Sequence, residues 1–225
     1  MSGTGVLAGR RYVVSAGPTY EDIDPVRFLG NRSSGRMGFA IAAAAAARGA
    51  SVVLVAGPVT LPTPSGVARV DVRSAAQMHD AVLAALPADA YIGAAAVADW
   101  TPADPATDKL KKQAGVDRMV IEFRRTADVL RDVARHPSRP RLVVGFAAET
   151  SGALAGHALA KLRSKGVDAI AANRVGVAGS GFESEDNTLE VHWADGSRTL
   201  GPAPKTLLAG KLLDLLAGIH PGKGT

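Results

Sequence analysis

Asn31, Ser33, Ser34 and Gly35 stand together in the stretch GNRSSGRMG, Gly30 to Gly38, and Arg27 lies just upstream. An alanine-rich run, FAIAAAAAARGA, follows at once. Backbone amides at a helix start lack intrahelical partners and sit at the positive end of the helix dipole, so this order of residues can hold an anion. The serine hydroxyls add donors. The same residues also fit a glycine-rich turn with a capping serine. Gly30 and Gly35 have Walker A spacing, but Arg36 and Met37 stand where that motif needs Lys and Ser/Thr. Gly35 and Gly38 supply only the second half of the dinucleotide fingerprint G-x-G-x-x-G.

Further candidate residues lie in or after apolar runs. Asp99 comes directly after AYIGAAAVA, and Phe146 lies within RLVVGFAAET. Lys161 and Lys165 are one turn apart on a predicted helix and so share a face. Lys109, Lys111 and Lys112 fall in DKLKKQ, behind the proline-rich TPADPATD, which reads as an exposed flap near residues 101–114. Solvated charge is the simpler account of that run. The chain has no cysteine, which excludes disulfides, a thiolate nucleophile and Cys-ligated zinc. His79, His136, His157, His192 and His220 are scattered without H-x-x-x-H spacing, so zinc is not expected. Asp22, Asp24, Glu183 and Asp186 are acidic, but no metal ligand is assigned among them.

These residues need a frame to position them. RYVVSAG, SVVLVAGP, VARVDV, AYIGAAAVADW, RLVVGFAAET and DAIAANRV read as strands. Met37–Arg48 reads as a helix with Ser33 or Ser34 as N-cap and Gly49 as its stop, and Ser74 is placed to cap a second. GALAGHALAKLRSKG and the leucine-faced PKTLLAGKLLDLLAGI add two more helices, and NTLEVHW-ADGS-RTL reads as a hairpin. Strand–helix alternation predicts an α/β, Rossmann-like, mostly parallel sheet with helices on both faces, plus a C-terminal β-hairpin. Ligands of such sheets bind beyond the carboxyl ends of the strands, where the polar residues above fall. The connection from the first strand to the first helix is far longer than usual, which marks it as functional.

At 225 residues the chain can form a single domain, read here as residues 11–220 behind a leader or linker at 1–10. The 26 Lys+Arg and 21 Asp+Glu give a net charge of +5. Those basic residues are dispersed, which argues against nucleic acid, and the apolar run Phe39–Ala47 is too short to span a membrane. A cysteine-free chain without a signal-peptide pattern suits the cytoplasm.

GPTYEDIDPVRFLGNRSSGRMG resembles the signature of the phosphopantothenate–cysteine ligase family, also called phosphopantothenoylcysteine synthetases. AAAVADW with DKLKKQ, then VVGFAAET, AKLRSKG, AANRV and GFESEDN continue the resemblance in order. The resemblance implies condensation of phosphopantothenate with L-cysteine in coenzyme A synthesis. In the bacterial branch this proceeds through an acyl-cytidylate, with CTP converted to CMP and pyrophosphate and Mg2+ assisting. It implies Asn31 and Lys109 as catalytic residues and Arg27 and Asn31 as substrate-binding residues. Nucleotide binding falls by the same resemblance to Ser33, Ser34, Gly35, Ala96, Asp99, Lys109, Phe146, Lys161 and Lys165. Whether Asp99 meets the ribose, the base or a metal through water stays open. A homodimer, and fusion to a flavin-dependent phosphopantothenoylcysteine decarboxylase, are also implied. The alternatives are a nicotinamide-dependent Rossmann reductase, disfavoured by the missing fingerprint, and a non-catalytic nucleotide-binding domain.

Overall fold

The computed structural model describes residues 5–112, 114–115, 117–149, 154–174 and 186–219. In chain order the elements are β1 (Arg11–Ala16), β2 (Tyr20–Asp22), β3 (Phe28–Gly30), α1 (Arg36–Ala47), β4 (Ser51–Ala56) and β5 (Val67–Asp71). Then come α2 (Ala75–Ala84), β6 (Ala90–Gly93), β7 (Trp100–Pro102), β8 (Phe123–Arg125), α3 (Val129–Ala134) and β9 (Leu142–Glu149). The chain closes with α4 (Leu154–Lys165), β10 (Ala169–Arg174), β11 (Asp186–Trp193), β12 (Gly196–Pro204) and α5 (Lys205–Gly218).

Eight strands form one sheet in the order β12-β11-β10-β9-β6-β1-β4-β5. From β10 to β5 all pairings are parallel, and β11 and β12 are antiparallel. This is the expected α/β architecture with its hairpin. The central strands are rich in Val, Ile and Ala because both faces are covered. On one face Val14, Leu54, Ile92 and Val144 pack with Ile41 and Ala45 of α1 and Leu208 and Leu212 of α5. On the other, Val13, Val55 and Ile170 pack with Met78 of α2, Val133 of α3 and Ala158 of α4. The alanine run of α1 thus serves close packing: its small side chains let α1 approach both the sheet and α5, which lies beside it on the same face. Arg48 ties the far end of α1 to α5, donating to Asp214 at 2.9 Å and to the Gly210 carbonyl at 3.2 Å.

Several expectations change. The N-terminal segment is not a free leader throughout: Leu7 is buried, and its amide donates to the Arg48 carbonyl at 2.9 Å. An apolar side chain with a pocket at the end of α1 is held there by burial. The long connection before α1 contains the β2–β3 arm. The expected flap from 101 to 114 loses its first two residues to β7, since Thr101 and Pro102 pair with Arg124 and Phe123 of β8. Ser74 caps α2 as expected, in a full capping box with Gln77. Residues 181–185 of GFESEDN, with Glu183, and His220 lie outside the described residues. Among the described residues no helix is long and apolar enough to cross a membrane.

Candidate active site

The start of α1 fixes the site. Its N-cap is Gly35, at φ 73°, with no side-chain cap bond, so the expectation of a capping Ser33 or Ser34 is corrected. A left-handed turn there suits glycine and strains any residue with a Cβ. The first intrahelical bond runs from the Phe39 amide to the Gly35 carbonyl at 3.1 Å. The amides of Arg36, Met37 and Gly38 therefore precede the ladder, as the anion-site reading requires. Gly38 sets their position, because a Cβ there would lie 2.5 Å from the Cβ of Ala16. Only glycine lets the first turn rest on the carboxyl end of β1.

Facing that turn is a cavity of about 840 Å³ along the carboxyl edge of the sheet. Asn31, Ser33, Ser34 and Gly35 form one wall, Ala96 and Asp99 another. Phe146 of β9 and Lys161 and Lys165 of α4 also line it. Nine of the sequence-predicted residues thus meet in one place. Arg27 and Lys109 do not line it; Arg27, in the turn between β2 and β3, donates at 2.9 Å to the carbonyl of Leu110, which follows Lys109 in the segment between β7 and β8.

The hydrogen bonds limit what each residue can do. Asn31 Nδ2 donates to the carbonyls of Ala96 and Val97, at 3.3 and 3.0 Å. The Ala96 carbonyl also accepts from the Thr19 amide, and the Ala96 amide donates to Gly17. With both backbone groups engaged, Ala96 is held in place in the wall. Lys165 is ion-paired with Asp128, whose other oxygen accepts from the Arg131 amide at 3.1 Å. Burial alone would raise the Asp128 pKa, but the bonds from Lys165 and Arg131 hold it below the usual carboxylate range. In the floor, Tyr91 Oη and Ser15 Oγ are 2.9 Å apart. Burial pushes the Tyr91 phenol up to about 12, against the bond to Ser15, so it serves as a neutral hydrogen-bonding group.

Residues 7–219 match the family model described as the DNA/pantothenate metabolism flavoprotein C-terminal domain. The chain belongs to this family. It is 47% identical over 210 residues to the coenzyme A biosynthesis bifunctional protein CoaBC of Vibrio parahaemolyticus, covering 93% of this chain and 52% of that protein. The protein of the same name from Escherichia coli K12 is 47% identical over 204 residues, covering 90% and 50%. The chain therefore spans about half the length of these relatives. A crystal structure of the C-terminal domain of CoaBC superposes with TM-score 0.77 at 37% identity, covering 93% of this chain and 94% of that one. The Cab2 mutant H337A in complex with phosphopantothenate-cysteine has TM-score 0.76 at 14% identity, over 94% of this chain and 86% of that one, a likeness of fold.

In this domain several cavity residues escaped the sequence reading. Asp128 and Arg131 come from the segment around α3. The signal was present: Asp128 precedes the apolar pattern of VLRDVA and caps it. Lys205 also lines the cavity, from the first position of α5, and is buried. Burial, with the nearby Arg36 guanidinium, lowers its pKa. A lysine at a helix start, where acidic residues are favoured, was the overlooked sign. Among the described residues no group of three or more His, Cys, Asp or Glu could hold a metal by itself.

Proposed function

We propose that the domain is a ligase condensing phosphopantothenate with L-cysteine to phosphopantothenoylcysteine, with CTP split to CMP and pyrophosphate through an acyl-cytidylate. The observation that carries this reading is the convergence of Asn31, Ser33–Gly35, Asp99, Phe146, Lys161 and Lys165, distant in the chain, on one cavity at the start of α1. The names of the full-length relatives, coenzyme A biosynthesis proteins, support it.

The amides at the start of α1 and the lysines of the wall offset the triphosphate's charge. A carboxylate oxygen of phosphopantothenate attacks the α-phosphorus, and the bond to pyrophosphate breaks. The cysteine amine then attacks the acyl carbon, the bond to CMP breaks, and the amine proton passes to solvent. Asn31 donates to the developing oxyanion by exchanging one of its two backbone carbonyl partners for the substrate. Arg27 holds the phosphate of phosphopantothenate, and Lys109 approaches the reacting phosphates from the segment between β7 and β8. Among the described residues two carboxylates line the cavity, and Asp128 is committed to Lys165, which makes Asp99 the described carboxylate suited to Mg2+ held mainly by phosphates. When bound, Mg2+ supplies charge neutralisation. A homodimer and a fused decarboxylase belong to the same proposal.

The test is to mix the protein with phosphopantothenate, cysteine, Mg2+ and either CTP or ATP, following pyrophosphate and the condensed product. Pyrophosphate release that needs phosphopantothenate and favours CTP is expected. Release independent of phosphopantothenate overturns the ligase, and equal or better turnover with ATP overturns the nucleotide assignment.

A further inference from the structure

Asp24 lies in the turn between β2 and β3 and is 2% exposed, though a short aspartate in a surface turn would ordinarily face water. Its carboxylate gathers five donors. Oδ1 accepts from the amides of Val26 at 2.9 Å and Arg27 at 2.8 Å. Oδ2 accepts from Arg27 Nε at 2.9 Å, from Arg27 Nη2, and from the Leu110 amide at 3.1 Å. Arg27 Nη2 also donates to the Leu110 carbonyl at 2.9 Å. Both backbone polar groups of Leu110, the neighbour of Lys109, are thereby held by one Asp–Arg pair. A second tether runs from the Ala106 amide to the Ile23 carbonyl at 2.9 Å.

This arrangement constrains Arg27 as much as the loop. Nε and both hydrogens of Nη2 are used, which leaves the Nη1 edge to meet an anion. We propose that Asp24 is a positioning residue for the ligase reaction: one buried carboxylate sets the Arg27 guanidinium and the Lys109–Leu110 backbone together, so that phosphate binding at Arg27 and the seating of Lys109 are coupled. This rests on the roles given above to Arg27 and Lys109. Five donors around one carboxylate also hold Asp24 ionised, with Arg27 the largest cause. A point charge at that position is what keeps a long, flexible arginine in a single rotamer.

Asp24→Asn separates this role from a structural one. Its remaining oxygen can keep the turn amides, whereas its NH2 group then meets Arg27 and the Leu110 amide, donor against donor. The KM for phosphopantothenate should rise about ten-fold and kcat fall about ten-fold, the usual scale for losing a charged hydrogen bond, with the KM for CTP within about two-fold of normal. Asp24→Glu, which keeps the charge, should recover part of the loss. In a Lys109→Ala background, Asp24→Asn should cost far less in kcat than it does alone. Trypsin should cut after Lys109 faster in Asp24→Asn than in the parent protein.

Normal kinetics in Asp24→Asn, with Arg27→Ala and Lys109→Ala both impaired, overturns the coupling and leaves the site reading standing. Normal kinetics in Arg27→Ala and Lys109→Ala instead overturns the roles of those residues, and the trypsin rate alone then decides the clamp, with unchanged cleavage refuting it. Equal damage to both KM values, with a fall in Tm and no recovery in Asp24→Glu, marks a structural carboxylate and also refutes the proposal. Should Asp24→Asn fail to fold, amide exchange in the parent protein decides: Leu110 exchanging as fast as Lys111 counts against the clamp.

Discussion

Asn31 donates from one nitrogen to two backbone carbonyls, so its place in the wall is set before any substrate arrives. Asn31→Ala should therefore lower kcat by ~10²–10³, the usual loss for one oxyanion donor, while the Kd for CTP changes little. Stopped-time assays with a separate nucleotide-binding measurement check this; near-normal kcat, or failure to bind CTP, goes against the role. Gly38 makes a different case. A methyl group there meets the backbone and side chain of Ala16, and a helix cannot yield to a strand without moving the whole first turn. Gly38→Ala should cost about 1–3 kcal/mol by urea unfolding and weaken nucleotide binding as well. A loop with the donors to hold an anion was legible from residue types alone. The cap was not: serine is the commoner N-cap, and nothing local announces that Gly35 takes that place in a left-handed turn. The engagement of Ala96 was equally hidden, because hydrogen bonds between distant backbone groups leave no trace in composition.

At the scale of elements, the segment between β7 and β8 contains no described helix or strand, and Lys109, Lys111 and Lys112 are exposed. Lys109→Ala should thus leave Tm within a degree or two, as surface changes usually do, while sharply reducing product formation. Limited proteolysis of the parent protein should cut near Lys109, Lys111 or Lys112 and slow when phosphopantothenate and CTP are added together. Unchanged turnover removes Lys109 from catalysis, and unchanged cleavage means that the segment does not close over bound substrates. Long parallel strands were readable because apolar runs of Val, Ile and Ala between glycines have few other homes. The three-residue strands β7 and β8 were not, being too short to show a period. Nor was α3, at six residues, although its loop supplies Asp128, the partner of Lys165. The shared face of Lys161 and Lys165 was legible from their spacing, but the carboxylate that meets Lys165 was not.

For the molecule as a whole, acid should be the weak direction. Asp22, held by Arg73, Asp24, held by Arg27, and Asp89, held by the Arg11 amide, all ionise below the usual 3.8. Asp128 does so too, despite burial, through Lys165. Depressed folded values mean that the unfolded chain binds more protons, so these carboxylates stabilise fully above an ordinary aspartate pKa of 3.8 and progressively less as pH falls through the lower folded values. The urea midpoint should be level from neutrality to about pH 5 and drop steeply below pH 4, and Asp89→Asn should shallow that drop. A flat profile down to pH 3 would contradict these assignments.

The hairpin at the end of the sheet has a bearing on how copies of the protein behave at high concentration. β12 is the terminal strand on its side, and its outer rim would be a template for any stray extended chain. Pro202 and Pro204 offer no amide to such a visitor, Arg198 adds charge, and Gly201, at φ 104° opposite the register shift between Asn187 and Leu189, bends the rim. The opposite rim, β5, is five residues long and carries Arg69 and Asp71 as an ion pair. A sheet of eight strands thus ends on both sides in strands that discourage further growth, and the molecule keeps its edges to itself.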